Sequence, residues 1–301
     1  MNKKLLRPVD ILNLSFFIFL FLLSVICMFR STSAFPAVLY YADLVLLLIL
    51  IFWGVQKYNT KFLRIAYAWH PLFYLFTVFG GFAYLLPVLN KQILDYLFIK
   101  IDRYIFGVDP TVWLERFQTT LFTDVMHIVY AFYFFMPFIL LIVLYIQGKY
   151  KENREAVFIM LAGAYICYIG YFIFPAIGPR FTIDFLQTKP IGGSAITFVI
   201  RRVIEILEPN NRDIFPSAHI ALSMTMTYVA WKFHRFFFWI YLVATLLTFL
   251  TTVYCRYHYV IDLAGGVVFG IIIIVVTPRL YHWLLKRQES DIIIGVPDKE
   301  T

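Results

Sequence analysis

Long apolar runs are the feature that most constrains how this chain can fold. A helix that crosses a bilayer needs about 20 mostly apolar residues, and the first such run covers residues 11–29, after a short basic N-terminus. Because no small-residue cleavage site follows this run, we interpret it as a retained first span and not a cleaved signal peptide. Seven further runs fit a span, although Pro71 interrupts the third predicted span. The eight predicted spans are residues 11–29, 38–55, 65–87, 125–146, 156–174, 217–231, 236–254 and 260–278.

The composition excludes a water-soluble enzyme. Of the 301 residues, 61% are hydrophobic and 15% are charged, whereas a soluble domain is about 45–50% apolar and about 25% charged. The sequence therefore predicts an all-α integral membrane protein, a bundle of about 6–8 transmembrane helices. The formal charge of +8 comes from basic residues beside apolar runs, which is typical of cytoplasmic loops. We therefore assign the excess charge to membrane orientation and expect no nucleic-acid partner.

Five basic clusters predict the orientation. With eight spans, all five clusters fall on one side of the membrane together with both termini, and the positive-inside rule makes that side cytoplasmic. The short loops favour a bacterial plasma membrane, with a eukaryotic endomembrane as the alternative. The clusters are residues 3–7, 57–64, 149–154, 232–235 and 286–287.

Two long segments remain on the outer side, and each predicts interfacial helices. Residues 88–124 mix charges with aromatic side chains, as helices at the surface of a bilayer do. Within residues 175–215, apolar residues recur at helical spacing from Ile196 to Leu207, and charged residues such as Arg202 face the other way. This pattern predicts an amphipathic surface helix.

Three short polar stretches lie at the outer ends of predicted spans, where they can meet. Ionisable groups at such positions are costly, so each is a candidate for function. The stretches are Pro-Ala-Ile-Gly-Pro-Arg at 175–180, Phe-Pro-Ser-Ala-His at 215–219 and Tyr-Cys-Arg-Tyr-His-Tyr-Val-Ile-Asp at 254–262.

The strongest pair within these stretches is His258 and Asp262. A spacing of four places both side chains on one helical face, a turn apart. A carboxylate there can accept a hydrogen bond from one imidazole nitrogen, which leaves the other nitrogen free as a nucleophile or base. Because Asp262 lies in the entry turn of a span with no basic residue after it until Arg279, we favour a functional pair over a structural polar contact.

Four more residues in these stretches suit a phosphate ligand. His219 opens a helix after Ser217, and helix N-termini bind phosphate through their free N–H groups; the alternative is that Ser217 only caps the helix. Arg180 and Arg256 could serve as headgroup anchors. Grouped with two histidines, a serine and a carboxylate, their guanidinium forks favour lipid phosphate.

A zinc site is an alternative use of three of these residues. His219, His258 and Asp262 could supply the three protein ligands of a catalytic zinc. Arg180 and Arg256 would oppose a cation and favour an anion, so we predict no metal and no cofactor.

We assign the remaining notable residues to packing. His70, inside the third predicted span, is interpreted as a packed polar residue, and Asp124 and His127 as structural or capping residues. Gly266 and Gly270 form a small-xxx-small pattern, which predicts close contact between two spans.

The three stretches together resemble the type 2 phosphatidic acid phosphatase (PAP2) superfamily. They carry its order of an arginine, Pro-Ser-x-His and Arg-x-His-x-x-x-Asp, and residues 102–110 are similar to a segment of the branch that contains inositol phosphorylceramide synthase, the aureobasidin target. The chain departs from the phosphatase pattern where Ile173 replaces a lysine and Ala218 a glycine, and where a proline precedes Arg180 instead of following it. These departures favour the transferase-like branch.

The resemblance implies a metal-independent reaction through a phosphohistidine. It makes His258 the nucleophile, Asp262 its orienting partner and His219 the proton donor. It also implies that Arg180, Arg256 and Ser217 bind the phosphate. The expected parts of the chain are N-terminal transmembrane helices over 1–88, a PAP2-like catalytic membrane domain with interfacial helices over 89–285, and a flexible cytoplasmic tail over 286–301.

Phospho-headgroup transfer from a phospholipid to a lipid alcohol is the function we expect, with the site on the outer or periplasmic face. One alternative is a lipid phosphate phosphatase, with water as the acceptor and phosphatidic acid or a polyprenyl or sphingoid phosphate as the substrate. A second alternative is a lipid transporter without chemistry. The expected partners are the bilayer, a phospholipid donor and the acceptor.

Overall fold

The computed structural model describes residues 6–58, 60–90, 92–207 and 212–288. All regular structure in these ranges is helical. The helices are α1 (Pro8–Arg30), α2 (Phe35–Tyr58), α3 (Lys61–Thr77), α4 (Phe82–Leu89), α5 (Asp95–Phe106), α6 (Pro110–Trp113), α7 (Thr120–Ile146), α8 (Tyr150–Ile173), α9 (Pro179–Thr182), α10 (Ala195–Leu207), α11 (Ala218–Phe233), α12 (Arg235–Tyr254) and α13 (Val260–Gln288).

Seven helical segments within these ranges are long and apolar enough to cross a membrane. Helices α3 and α4 join through a 3-10 turn into one of them, Lys61–Leu89. The sixth predicted span is present as α11, but its 16 residues reach only about 24 Å at 1.5 Å per residue. The prediction of an all-α, multi-pass membrane protein is confirmed. The sixth predicted span thus forms a helix of about the predicted length, which is short for a hydrocarbon core about 30 Å thick.

Two predictions fall partly outside the described ranges. Most of the predicted tail, residues 289–301, lies outside them, and α13 continues through residues 286–288. The first residues of the basic cluster at 3–7 also lie outside them.

Helices α8 and α11 form the centre of the bundle. Of an 18-residue apolar stretch of α8, 78% is buried. In the segment that contains α2, 22% of such a stretch is buried. Helix α11 packs against α7, α8, α12 and α13, while α1, α3 and α4 pack on another side of α8. Apolar side chains on α2, such as Leu46, Ile49 and Leu50, stay exposed, as suits a helix that faces lipid.

Polar contacts join the ends of several helices on the side away from the three polar stretches. Lys232 at the end of α11 donates to Glu155 in the first turns of α8 at 2.5 Å. His282 of α13 lies 3.3 Å from the same carboxylate, and Lys149 donates to the carbonyl of Phe233. The predicted basic clusters at 149–154, 232–235 and 286–287 therefore gather at this end of the bundle.

The segments predicted to form interfacial helices contain α5 and α10, and α10 packs against α7. Thr197 and Ile204 are buried, whereas Ile196 and Val199 are about half exposed. The reason is a polar contact: Asp124 of α7 accepts hydrogen bonds from the Thr197 hydroxyl at 2.6 Å and the Ser194 N–H at 2.9 Å. Most of the predicted apolar stripe is left exposed, where it suits a helix that lies in the bilayer interface.

The other polar residues that we assigned to packing bond within their own helices, and His70 also approaches Asp10 of α1. His127 Nδ1 donates to the carbonyl of Thr123 at 2.9 Å. His70 Nδ1 donates to the carbonyl of Tyr67 at 2.8 Å, and its Nε2 lies 3.6 Å from Asp10.

The predicted glycine contact joins α13 to α11. A Cβ at Gly266 would lie 2.7 Å from the carbonyl oxygen of Ser217 and 2.8 Å from the Ile220 Cβ, and one at Gly270 would lie 3.4 Å from Ala221. The absence of a side chain at Gly266 therefore allows α13 to approach the beginning of α11 closely.

This contact predicts an asymmetry between two glycine variants. We expect Gly266→Ala to lower the free energy of unfolding by about 1–3 kcal/mol, because the added methyl overpacks a backbone contact. Gly54→Ala in α2 is the matched control, since a Cβ there meets nothing within 4 Å. Midpoints of thermal unfolding in detergent micelles measure both. Equal midpoints for the two variants would contradict the close contact.

Candidate active site

The three polar stretches meet at one end of the bundle. The first follows α8 and carries Arg180 in α9, the second leads into α11 with Ser217 and His219, and the third joins α12 to α13. The backbone N–H of Ser217 donates to the carbonyl of Asp262 at 3.2 Å, which joins the second stretch directly to the third.

His258 lies at the centre of the group. Its Nε2 is 3.1 Å from His219 Nδ1 and 3.4 Å from Ser217 Oγ. Its Nδ1 faces Asp262 Oδ2 at 3.5 Å, which is longer than a normal hydrogen bond; catalytic contacts are often this long before substrate binds. The two ring nitrogens therefore face different partners, a carboxylate on one side and a histidine and a serine on the other.

The His258–Asp262 contact forms in a different way from the predicted helical pair. Helix α13 begins at Val260, so His258 precedes the helix. The Asp262 carboxylate accepts the Tyr259 N–H at 2.9 Å, and this bond folds the preceding loop back over the first turn. His258 is thereby held beside a carboxylate that lies within the helix.

Ser217 and His219 hold the positions expected at a helix start. Ser217 caps α11, with its side chain accepting from the Ile220 N–H. His219 is buried between aromatic rings, with ring-centroid distances of 4.7 Å to Tyr130 and 4.5 Å to Tyr133. The capping alternative for Ser217 therefore describes one of its contacts, and its 3.4 Å approach to His258 is the other.

Arg180 faces the same cavity as the two histidines. Its guanidinium carbon lies 5.0 Å from the centre of the Tyr257 ring. Its buried Nε has no hydrogen-bond partner among the residues that the structure describes. A buried donor without a partner is costly, so this position suits an anionic ligand.

The structure does not bring Arg256 to the cavity. The Arg256 Nη2 donates to the carbonyl of Lys189 at 3.0 Å and lies 3.5 Å from Glu115. Glu115 in turn accepts the Thr188 N–H at 3.1 Å. Arg256 therefore joins the two outer segments, α6 to α7 and α9 to α10, in this conformation.

The cavity has a polar end and apolar walls. Arg180, His219 and His258 lie at its polar end, together with Asp213. Leu222 and Met226, about one and two turns after His219 on α11, continue its lining into the bundle, and α7 and α8 supply mostly aromatic walls. Its volume is about 90 Å³. This lining suits a ligand that combines an anionic group with an apolar part.

The geometry opposes the zinc alternative. His219 approaches His258 at Nε2 and Asp262 approaches it at Nδ1. Since these atoms are on opposite sides of the imidazole, the three side chains do not converge on one ion. In the described part of the chain, no group of three or more such ligands is placed to hold a metal.

Sequence reasoning missed two carboxylates that contact the site from α5. Asp102 accepts the N–H groups of Val260 and Ile261, and Asp95 accepts those of Ile177 and Gly178. Their spacing of seven on an amphipathic helix was the available signal, but their partners are backbone groups, which no residue pattern reveals.

One comparison with known proteins identifies the family of the chain. The family model of the PAP2 superfamily matches residues 97–276, more than half of the chain. The chain belongs to the PAP2 superfamily. The matched range extends from α5 into α13 and includes all three polar stretches. No curated protein and no solved structure matches the chain.

The site predicts the protonation state of His258. Burial lowers the pKa of this imidazole well below the ordinary value of 6.5, and the charges of His219 and Arg180 lower it further. We therefore expect His258 to stay neutral at pH 6.5, where an ordinary histidine is half protonated. NMR of protein with isotope-labelled histidine measures this, with the His258 signal assigned by its loss in His258→Ala.

Replacement of Arg180 tests how much a nearby positive charge contributes to the lowered pKa of His258. Arg180→Gln removes a positive charge that opposes the imidazolium, so the titration of His258 should move to higher pH. A His258 midpoint at or above 6.5 in the unsubstituted protein would contradict the burial argument.

Proposed function

We propose that this protein is a membrane phosphotransferase that moves a phospho-headgroup from a phospholipid to a lipid alcohol through a phosphohistidine on His258. The observation that carries the proposal is the placement of His258 between Asp262 and His219 at the polar end of an apolar cavity. PAP2 superfamily membership supports phosphatase or phosphotransferase chemistry on lipid phosphates.

The first step forms the covalent intermediate. The Nε2 lone pair of His258 attacks phosphorus, and the bond from phosphorus to the departing lipid oxygen breaks. His219, protonated, donates its proton to that oxygen. Asp262 stabilises the positive charge that develops on the His258 ring. His219 and His258 lie 3.1 Å apart without substrate, so the phosphoryl group separates them when it binds.

The second step returns the enzyme to its starting state. His219 now accepts the proton of the acceptor hydroxyl, the acceptor oxygen attacks phosphorus, and the P–N bond to His258 breaks. A lipid alcohol as the acceptor gives a transferred headgroup, and water gives hydrolysis. The mostly apolar walls of the cavity and the likeness to the synthase branch support the lipid alcohol.

Arg180, Ser217 and the N-terminus of α11 bind the phosphate oxygens in this proposal. The guanidinium and the free N–H groups stabilise charge that develops on those oxygens in the transition state. Arg256 is a further phosphate contact that forms when its guanidinium leaves Glu115. The cavity walls receive an apolar chain of the donor.

The proposal also includes an orientation and a division of the chain. The site lies at the end of the bundle away from the gathered basic clusters, so the positive-inside rule puts it on the outer face and the termini in the cytoplasm. We assign the catalytic domain to residues 89–285 and treat residues 1–88 as N-terminal helices beside it. A bacterial plasma membrane is the proposed location.

Lipid mass spectrometry tests the function. Purified protein in mixed micelles receives phosphatidic acid, phosphatidylinositol, diacylglycerol and ceramide. We expect new headgroup-bearing lipids with the unsubstituted protein and none with His258→Ala, because that variant lacks the nucleophile. His282→Ala, at the other end of the bundle, is the matched control and should keep normal turnover.

The outcomes separate the candidate functions. If the unsubstituted protein consumes phosphatidic acid and releases free phosphate while His258→Ala does not, the protein is a phosphatase and not a transferase. Near-normal turnover in His258→Ala would show that this residue is not the nucleophile. If the unsubstituted protein and both variants bind lipid saturably but leave the amounts of all lipids unchanged, the transporter alternative is favoured.

A further inference from the structure

Helix α5 presents two buried carboxylates to the candidate active site. Asp95 and Asp102 are seven residues apart, which places them on one face of the helix, and each is 2% exposed. Neither lines the cavity. Their contacts are with the two loops that carry Arg180 and His258.

Asp102 holds the beginning of α13. Its two carboxylate oxygens accept the N–H groups of Val260 at 2.8 Å and Ile261 at 3.0 Å. These are the first two residues of the helix, whose N–H groups have no partner within it. Asp102 therefore caps α13 from another helix. The capped residues lie between His258, which is two residues before the helix, and Asp262, which is in its first turn.

Asp95 holds the loop that leads to Arg180. Its carboxylate accepts the N–H of Ile177 at 2.9 Å and that of Gly178 at 2.8 Å. It also accepts the hydroxyl of Tyr259 at 2.9 Å, and Tyr259 directly follows His258. One carboxylate thus contacts both loops.

The carboxylate bonds are strong for their setting. A hydrogen bond to a charged group is stronger than one between neutral groups. Each buried carboxylate also needs such donors to offset its loss of hydration. The two loops therefore have little freedom to move relative to α5.

We propose that Asp95 and Asp102 are positioning residues that fix the phosphate-binding Arg180 and the nucleophile His258 relative to each other. This inference rests on the proposed function of those two residues. Asp102 acts on the nucleophile through the start of α13. Asp95 acts mainly on substrate binding through the Arg180 loop.

Steady-state kinetics on purified variants in mixed micelles tests the assignment. Asp102→Ala should lower kcat at least tenfold with KM within twofold, because small displacements of reacting groups cost up to about 100-fold in rate. Asp95→Ala should raise KM at least fivefold. Asp109→Ala is the control, since Asp109 pairs with the half-exposed Arg103 and should leave kcat and KM unchanged.

Rates are normalised to folded, monodisperse protein, so that a loss of stability alone does not change them. Asp102→Asn keeps one carbonyl acceptor and should restore part of kcat. If an alanine variant does not fold, the kcat and KM of Asp95→Asn and Asp102→Asn test the positioning role instead. Folded Asp95 and Asp102 variants with the kcat and KM of Asp109→Ala would overturn the positioning role.

The same assay distinguishes this failure from failure of the proposed function. If the unsubstituted protein and His258→Ala turn over lipid equally, the proposed function fails and the positioning role fails with it. If His258→Ala is inactive while Asp95→Ala and Asp102→Ala match the Asp109 control, only the positioning role fails.

Discussion

The site depends on the first turn of α13, and within it on Asp262. The Asp262 carboxylate faces His258 and accepts the Tyr259 N–H, while its backbone carbonyl accepts the Ser217 N–H. One residue thus joins the loop of one histidine to the helix of the other. Gly266, one turn further on, allows α13 to approach Ser217 closely enough for this bond.

A second constraint comes from the membrane. A carboxylate buried away from water loses its hydration and needs hydrogen-bond donors in return. For the three buried carboxylates beside the site, most of those donors are backbone N–H groups at loops and helix starts: Tyr259 for Asp262, Val260 for Asp102 and Gly178 for Asp95. The cost of burying these three acidic groups is therefore offset by bonds that also fix the loops of the site.

Much of the fold could be predicted from the sequence because a membrane span is a local property. A run of apolar residues of the right length forms a helix whatever lies beside it, and seven of the predicted spans meet that length. The exception, α11, is short and lies among four other helices. The contact between α10 and α7 was not predictable, because the bond between Asp124 and Thr197 joins residues far apart in the chain.

The site was predictable where its chemistry lies in local motifs. The motifs that contain Arg180, Ser217, His219, His258 and Asp262 come together at one end of the bundle, as their places at span ends predict. The direction of the Arg256 side chain was not predictable, because it depends on Glu115 and Lys189 from distant segments. The contacts of α5 were not predictable either, because the two accepting residues, Asp95 and Asp102, look like solvated surface charges in the sequence.

In the proposed reaction, phosphorus bonds transiently to His258. The most direct measurement is rapid mixing of the protein with a donor phospholipid, an alkaline quench that preserves phosphohistidine, and mass spectrometry of the resulting peptides. We expect a phosphorylated peptide that contains His258, forms within one turnover and is absent from His258→Ala. Phosphate on His219, or lipid turnover with no phosphorylated histidine at any time, would contradict it.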